Sequence, residues 1–173
     1  LTDACNFKCP YCRGVEKKYK GSLSLDEAKK VVDLWAEGNI HNIRFSGGEP
    51  TIWPGLEELV KYTSAIPSIE RIAVSTNGSA SIEFYQKLLD AGVNDFSISL
   101  DACCSSTADK MSGETGKFKS IKDSIEYLSS RTYVSVGVVL NGENDSELRG
   151  VIDFAIGLGV SDVRIITAAQ SNH

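Results

Sequence analysis

The chain has 173 residues, of which 42% are hydrophobic and 24% charged, with a formal net charge of −5. That composition suits one globular domain with a substantial core. The acidic balance excludes a broad nucleic-acid surface, no apolar run is long enough for a transmembrane helix, and no signal-peptide pattern is present. A single domain over residues 1–173 is expected, because no linker or shift in composition divides the chain. The start at Leu1, with cysteines following almost at once, reads as a piece of a longer chain with a truncated first strand.

In chain order, Leu1 to Ala4 are expected to finish that first strand and lead into Cys5-Asn6-Phe7-Lys8-Cys9-Pro10-Tyr11-Cys12. The basic run Glu16 to Lys20 is taken as a solvated loop, with contact to an anion as the alternative. A helix over Leu25–Glu37 opens on a capping box at Ser24 and Glu27, and its apolar residues recur at helical spacing. A strand at Asn42–Ser46 precedes the turn Ser46-Gly47-Gly48-Glu49-Pro50. Helices are then predicted at Leu56–Ala65, Ile82–Ala91 and Phe118–Ser129, and strands at Ile69–Ser75, Asp95–Leu100 and Val134–Leu140. The segment between Leu100 and Phe118, rich in Ser, Asp and Gly, is predicted as a loop. Asn144 and Glu147 cap a further helix, and Asp162–Thr167 supplies the sixth strand.

Strands that alternate with helical crossovers must run parallel, so the class is α/β. The pattern does not separate an open doubly wound sheet from a closed or partly closed barrel. Alternation along the strands gives the two faces of the sheet different chemistry. Arg44, Ser46, Ser97, Ser99, Asp101, Ser135, Gly137 and Arg164 fall on one side, which reads as the lining of a pocket. Ile43, Phe45, Phe96, Ile98, Leu100, Val136 and Val138 fall on the other, which suits burial under helices.

Three of the five cysteines lie within eight residues, at Cys5, Cys9 and Cys12. Thiolates at that density select a soft metal or an iron-sulfur cluster. The only histidines are His41 and His173, and Cys103 and Cys104 are adjacent without the spacing of a zinc half-site. Three thiolates on a cubane of four irons leave one iron open, which is where chemistry can occur. Exposed cysteines of this kind belong in a reducing cytoplasm. The second signal is the Gly47-Gly48-Glu49-Pro50 turn at the C-terminal end of a strand, the edge where βα folds bind ligands. Its glycines are expected to let backbone approach a small molecule, and Glu49 to present a carboxylate to a cation. The turn lacks the Gly-Lys-Ser/Thr of a P-loop and does not match the dinucleotide fingerprint.

With CxxxCxxC at Cys5, Cys9 and Cys12 followed by GGEP, the chain resembles the radical S-adenosylmethionine superfamily along essentially its whole length. Its look is closest to the GTP cyclase of molybdenum cofactor synthesis and to peptide-modifying members. The resemblance implies a partial (β/α)6 TIM-like barrel and two cofactors, a 4Fe-4S cluster and S-adenosylmethionine. It assigns the cluster to Cys5, Cys9 and Cys12, and the cofactor's methionyl amine to Glu49 with the backbone of Gly47 and Gly48. It also places Tyr11 at the adenine, Ser99 near the ribose or carboxylate, Thr76 and Asn77 along the same cavity, and Val138 with Ile166 as apolar contacts to adenine. An external electron donor such as flavodoxin or ferredoxin and a small-molecule or peptide substrate follow as partners. Arg44, Ser75-Thr76-Asn77-Gly78 and Ser99-Leu100-Asp101 match the cyclase. Ser135, Gly137 and Thr167-Ala168-Ala169 depart from it at positions expected to grip cofactor and substrate. Lys8 and Arg13 are further candidate donors to the cluster. Two other classes fit the cysteines alone: an iron-sulfur redox or sensing module without catalysis, and a zinc-stabilised scaffold or binding domain. The GGEP turn argues against both.

Overall fold

The computed structural model describes residues 1–12 and 21–168. Five strands form one parallel sheet: β1 Asn42–Phe45, β2 Arg71–Thr76, β3 Asp95–Ser99, β4 Tyr133–Leu140 and β5 Asp162–Thr167. They lie side by side in chain order. A doubly wound sheet reverses its strand order partway across, so this sheet winds in one direction, as a barrel does. Six α-helices among the described residues accompany it: α1 Leu25–Glu37, α2 Leu56–Ser64, α3 Ile82–Ala91, α4 Ser105–Ser112, α5 Phe118–Ser129 and α6 Leu148–Gly157. None of the described helices is long and apolar enough to cross a membrane.

The alternation along the strands sorts the sheet's faces as predicted. Ile43, Phe45, Phe96, Ile98, Val136 and Val138 are buried in one core with Leu56 and Leu59 of α2, Leu88 of α3 and Ile125 and Leu128 of α5. Tyr85 of α3 meets Phe96 edge to face at 5.7 Å between ring centres. Arg44, Ser99 and Arg164 face the other way and are exposed. The start of α1 carries the reciprocal cap, in which Glu27 N donates to Ser24 Oγ at 3.3 Å and Ser24 N donates to Glu27 Oε2 at 2.8 Å.

Two expectations need correction. Leu1 to Ala4 do not form a sixth strand: Thr2 makes an isolated antiparallel bridge to Ser22. On their other side the same residues meet the loop beyond β1, where Gly48 N donates to Thr2 O at 2.6 Å and Glu49 N to Ala4 O at 2.8 Å. Those contacts lie past the end of β1, so no ladder forms with it. The second correction is α4, inside the segment predicted as a loop. Its sequence is mostly polar, and it is held by three buried residues, Thr107, Met111 and Ser112. The Glu16 to Lys20 run and Arg13 lie outside the described residues.

Candidate cluster and cofactor site

The cysteine segment crosses the C-terminal edge of the sheet and is tied down at several points. Phe7 is buried in the core. Asn6 Oδ1 accepts from Asn77 Nδ2 at 2.8 Å, just past β2, while Asn6 Nδ2 donates to Ser79 Oγ at 2.9 Å. Lys8 N donates to Ser112 O at 3.0 Å at the end of α4, and Lys8 Nζ lies 3.6 Å from Glu114. Gly113 has φ +66°, and a Cβ there would stand 2.4 Å from Lys8 O, so only glycine allows this approach. Between the last two cysteines, Cys12 N donates to Cys9 O at 2.9 Å, closing a tight turn. The hydroxyl of Tyr11 in that turn donates to Asp101 Oδ2.

No disulfide joins any of the five cysteines. Cys5 and Cys12 are exposed and Cys9 is half-buried. Burial pushes the Cys9 thiol up to about 11 and also raises that of Cys5. Metal ligation must therefore displace protons from both. Among the described residues no three His, Cys, Asp or Glu side chains converge on a point that would hold a single ion. A cubane meets each thiolate at a different iron, so three soft donors spread along one exposed loop fit a cluster in kind.

The GGEP turn is built into the same edge. A Cβ on Gly47 would lie 2.4 Å from Thr2 O, and one on Gly48 would lie 2.1 Å from Ala4 O. The chain's own N-terminal segment thus requires glycine at both positions, independently of any approach by a ligand. Glu49 is 1% exposed and begins a 3-10 turn at Pro50–Ile52. Its Oε1 accepts from Thr51 N at 3.0 Å and from the hydroxyls of Thr51 and Thr76, each at 2.7 Å. Its Oε2 accepts from Asn77 N at 2.7 Å. The carboxylate therefore joins the turn to the end of β2.

Cys9, Tyr11, Asn77, Ser99 and Asp101 line one small cavity of about 60 Å³ behind the cysteine loop. Thr76 is buried and holds Glu49. Val138 and Ile166 are not brought together. Val138 pairs with Ile165 and Val139 with Ile166, so Val138 and Ile166 point to opposite faces. Val138 is fully buried in the helix-covered core, whereas Ile166 is 61% exposed.

Three residues hold positions beyond their sequence reading, in which Asp95 has no role, Asp101 lines the pocket face and Asn144 caps a helix. Asp95 is fully buried, and its Oδ2 accepts from Arg44 Nη2 at 3.1 Å and from Arg71 Nε at 2.9 Å. Its Oδ1 has no hydrogen-bond partner among the described residues. Arg44, Arg71, Asp95 and Arg164 border a cleft of about 200 Å³ towards the N-terminal ends of the strands. The signal available was parity: Arg71 and Asp95 begin their strands on the face that Arg44 shares. Asp101 and Asn144 are the other two. Asp101 Oδ1 accepts from Val139 N at 2.6 Å, and Asn144 Nδ2 donates to the carbonyls of Asp101 at 2.8 Å and Val139 at 3.0 Å. Cys104 caps the start of α4, and its Sγ and that of Cys103 lie 3.8 and 4.0 Å from Glu147 Oε2.

The profile of the Radical SAM superfamily matches residues 1–155. The chain belongs to that superfamily. Radical SAM membership brings with it a 4Fe-4S cluster and S-adenosylmethionine as cofactors. Among curated relatives, GTP 3',8-cyclase 1 of Pseudomonas aeruginosa is 30% identical over 165 residues, covering 92% of this chain and 50% of the cyclase. Molybdenum cofactor biosynthesis protein moc-5 of Caenorhabditis elegans is 35% identical over 161 residues, covering 89% of this chain and 26% of that protein. The chain thus spans half or less of these relatives. In fold it is similar to Streptococcus suis SuiB bound to S-adenosylmethionine, with a TM-score of 0.85 at 13% identity, over 99% of this chain and 40% of SuiB. The radical SAM sheet here is therefore a TIM-like partial barrel, with five strands among the described residues.

Proposed function

We propose that this radical SAM domain carries a 4Fe-4S cluster on Cys5, Cys9 and Cys12 and binds S-adenosylmethionine beside it at the GGEP edge. When bound, the two cofactors supply reductive cleavage to methionine and a 5'-deoxyadenosyl radical, which abstracts hydrogen from the substrate. The observation that carries this reading is the bonding of the cysteine segment to the GGEP turn, directly through Glu49 N to Ala4 O and indirectly through Asn77, which donates to both Asn6 Oδ1 and Glu49 Oε2. That bonding supports a single site built from the cysteine segment and the GGEP turn.

In this reading the protein positions and shields. Glu49 Oε2 accepts a single hydrogen bond among those described, from Asn77 N, and its remaining lone pair is the proposed acceptor for the methionyl ammonium. Tyr11, Gly47, Gly48, Asn77 and Ser99 border the remaining cofactor, and Ile166 offers an exposed apolar wall on the open face of the sheet. Thr76 acts through Glu49.

The substrate is proposed to lie over that open face and to carry negative charge. Arg44, Arg71 and Arg164 border the cleft at its far end, while Asp95 and Asp162 offset part of their charge. A purine nucleoside triphosphate, as named for the cyclase relatives, suits this arrangement. Flavodoxin or ferredoxin is the proposed class of electron donor.

Anaerobic reconstitution followed by dithionite and S-adenosylmethionine should release 5'-deoxyadenosine, and GTP should increase the amount released. No 5'-deoxyadenosine above a cluster-free control would refute the catalytic reading. Release that is indifferent to GTP would refute the nucleotide.

A further inference from the structure

We infer that Asp101 is the positioning residue for the cluster loop, acting through the Tyr11 hydroxyl. This rests on the proposed cluster site, because Tyr11 stands between Cys9 and Cys12.

Asp101 is itself fixed on several sides. Leu100 N donates to Gly137 O at 3.0 Å, which extends the pairing of β3 with β4 beyond Ser99. Asp101 Oδ1 then accepts from Val139 N at 2.6 Å, so the carboxylate continues the same pairing one step further. Asn144, which is 1% exposed, binds the backbone carbonyls of Asp101 and Val139 with its single amide nitrogen. The carboxylate is left with one oxygen pointing away from the sheet, and Tyr11 donates to it.

Several other ties act on the first half of the loop. Asn6 is held by Asn77 and Ser79, Phe7 by the core, and Lys8 by Ser112. Pro10 and Cys12 are exposed. The bond from Tyr11 to Asp101 is a side-chain tie between the last two cysteines and the sheet. A hydrogen bond to a charged acceptor is stronger than a neutral one and has a preferred direction, which suits it to fixing a loop. Cys9 and Cys12 are thereby held relative to the strand ends, where Ser99 and Asn77 border the cofactor site.

The test compares Tyr11→Phe, Asp101→Ala, the double variant and Asp101→Asn. Amide hydrogen exchange across residues 5–12 is followed in the chain as purified and after reconstitution. Tyr11→Phe and Asp101→Ala should each speed exchange in this segment by about tenfold, the loss expected for one charge-assisted bond. The double variant should be no faster than Asp101→Ala alone, because Tyr11→Phe removes a bond that Asp101→Ala already lacks. Asp101→Asn keeps an oxygen for Val139 N and an amide to meet Tyr11, and should stay within about threefold of the parent. In the reconstituted chain, Tyr11→Phe should keep the parent's iron content while the S-adenosylmethionine concentration for half-maximal change of the cluster EPR signal rises by about tenfold. Parent-like exchange in Tyr11→Phe, or additive effects in the double variant, would overturn the assignment. If the parent itself binds no iron, the proposed function fails, and the exchange comparison still decides the role of Asp101. If Asp101→Ala does not fold, Tyr11→Phe alone decides it.

Discussion

Thr76 Oγ1 donates to Glu49 Oε1 at 2.7 Å, and both residues are buried. One carboxylate thus holds the end of β2 to the GGEP turn while remaining the acidic group proposed to meet the cofactor's amine. Glu49→Gln tests the two duties together. Its amide nitrogen must face either the donors on Oε1 or Asn77 N, so the variant should be destabilised by about 1–3 kcal/mol. Urea unfolding of the cluster-free chain measures this, and a stability equal to the parent's would show that the hydrogen bonds lost to the amide contribute nothing. S-adenosylmethionine titration of the reconstituted variant should show weaker binding at unchanged iron content.

Gly48→Ala asks whether the glycine pair serves the chain or the ligand. A Cβ would stand 2.1 Å from Ala4 O and 2.6 Å from Ala4 C, both backbone atoms that cannot swing aside. The variant should lose about 1–3 kcal/mol of stability without any cofactor present. A parent-like unfolding curve together with lost cofactor binding would mean that Gly48 serves the ligand and not the chain.

Much of the architecture could be read from the chain because apolar spacing and local caps agreed with each other. The bounds of α1, α3, α5 and β5 were predicted to the residue, and in α1 and α3 a serine cap coincides with the first apolar repeat. α4 was missed because its sequence SSTADKMS offers few apolar residues, and its position depends on Thr107 and Met111 finding a distant surface. The GGEP turn was visible as a motif, but its physical cause was not, since the atoms that demand glycine belong to Thr2 and Ala4, more than 40 positions earlier. The Asp95 cluster was hidden for the same reason: strand parity can align charges, but register decides which of them meet.

Val138 and Ile166 give a direct check on the two faces. Val138→Ala should cost about 1–3 kcal/mol in stability by removing fully buried volume, and leave S-adenosylmethionine binding unchanged. Ile166→Ala, on the exposed face, should leave stability within about 0.5 kcal/mol of the parent and weaken cofactor binding. Calorimetry and cofactor titration on both variants separate these effects. The opposite pattern would mean that the sheet faces are exchanged.

Asp101 also predicts a pH dependence. Burial raises its carboxyl above the ordinary value of 3.8, against the hydrogen bonds from Tyr11 and Val139 that lower it. A raised folded-state value means that the protonated form is favoured by folding. The associated stability is present below 3.8 and is lost as pH rises through the raised value. Asp101→Asn cannot titrate there. The stability of the parent relative to Asp101→Asn should therefore fall as pH rises from the acid range to neutrality. Urea unfolding at several pH values checks this, and a relative stability that rises with pH would reverse the sign.

The central claim, one iron-sulfur cluster on the loop from Cys5 to Cys12, is tested most directly by iron and sulfide content after anaerobic reconstitution. The parent and the Cys103→Ser/Cys104→Ser variant should each hold about four irons per chain, while the variant with alanine at Cys5, Cys9 and Cys12 should hold essentially none. Four irons retained in the triple alanine variant would contradict the assignment.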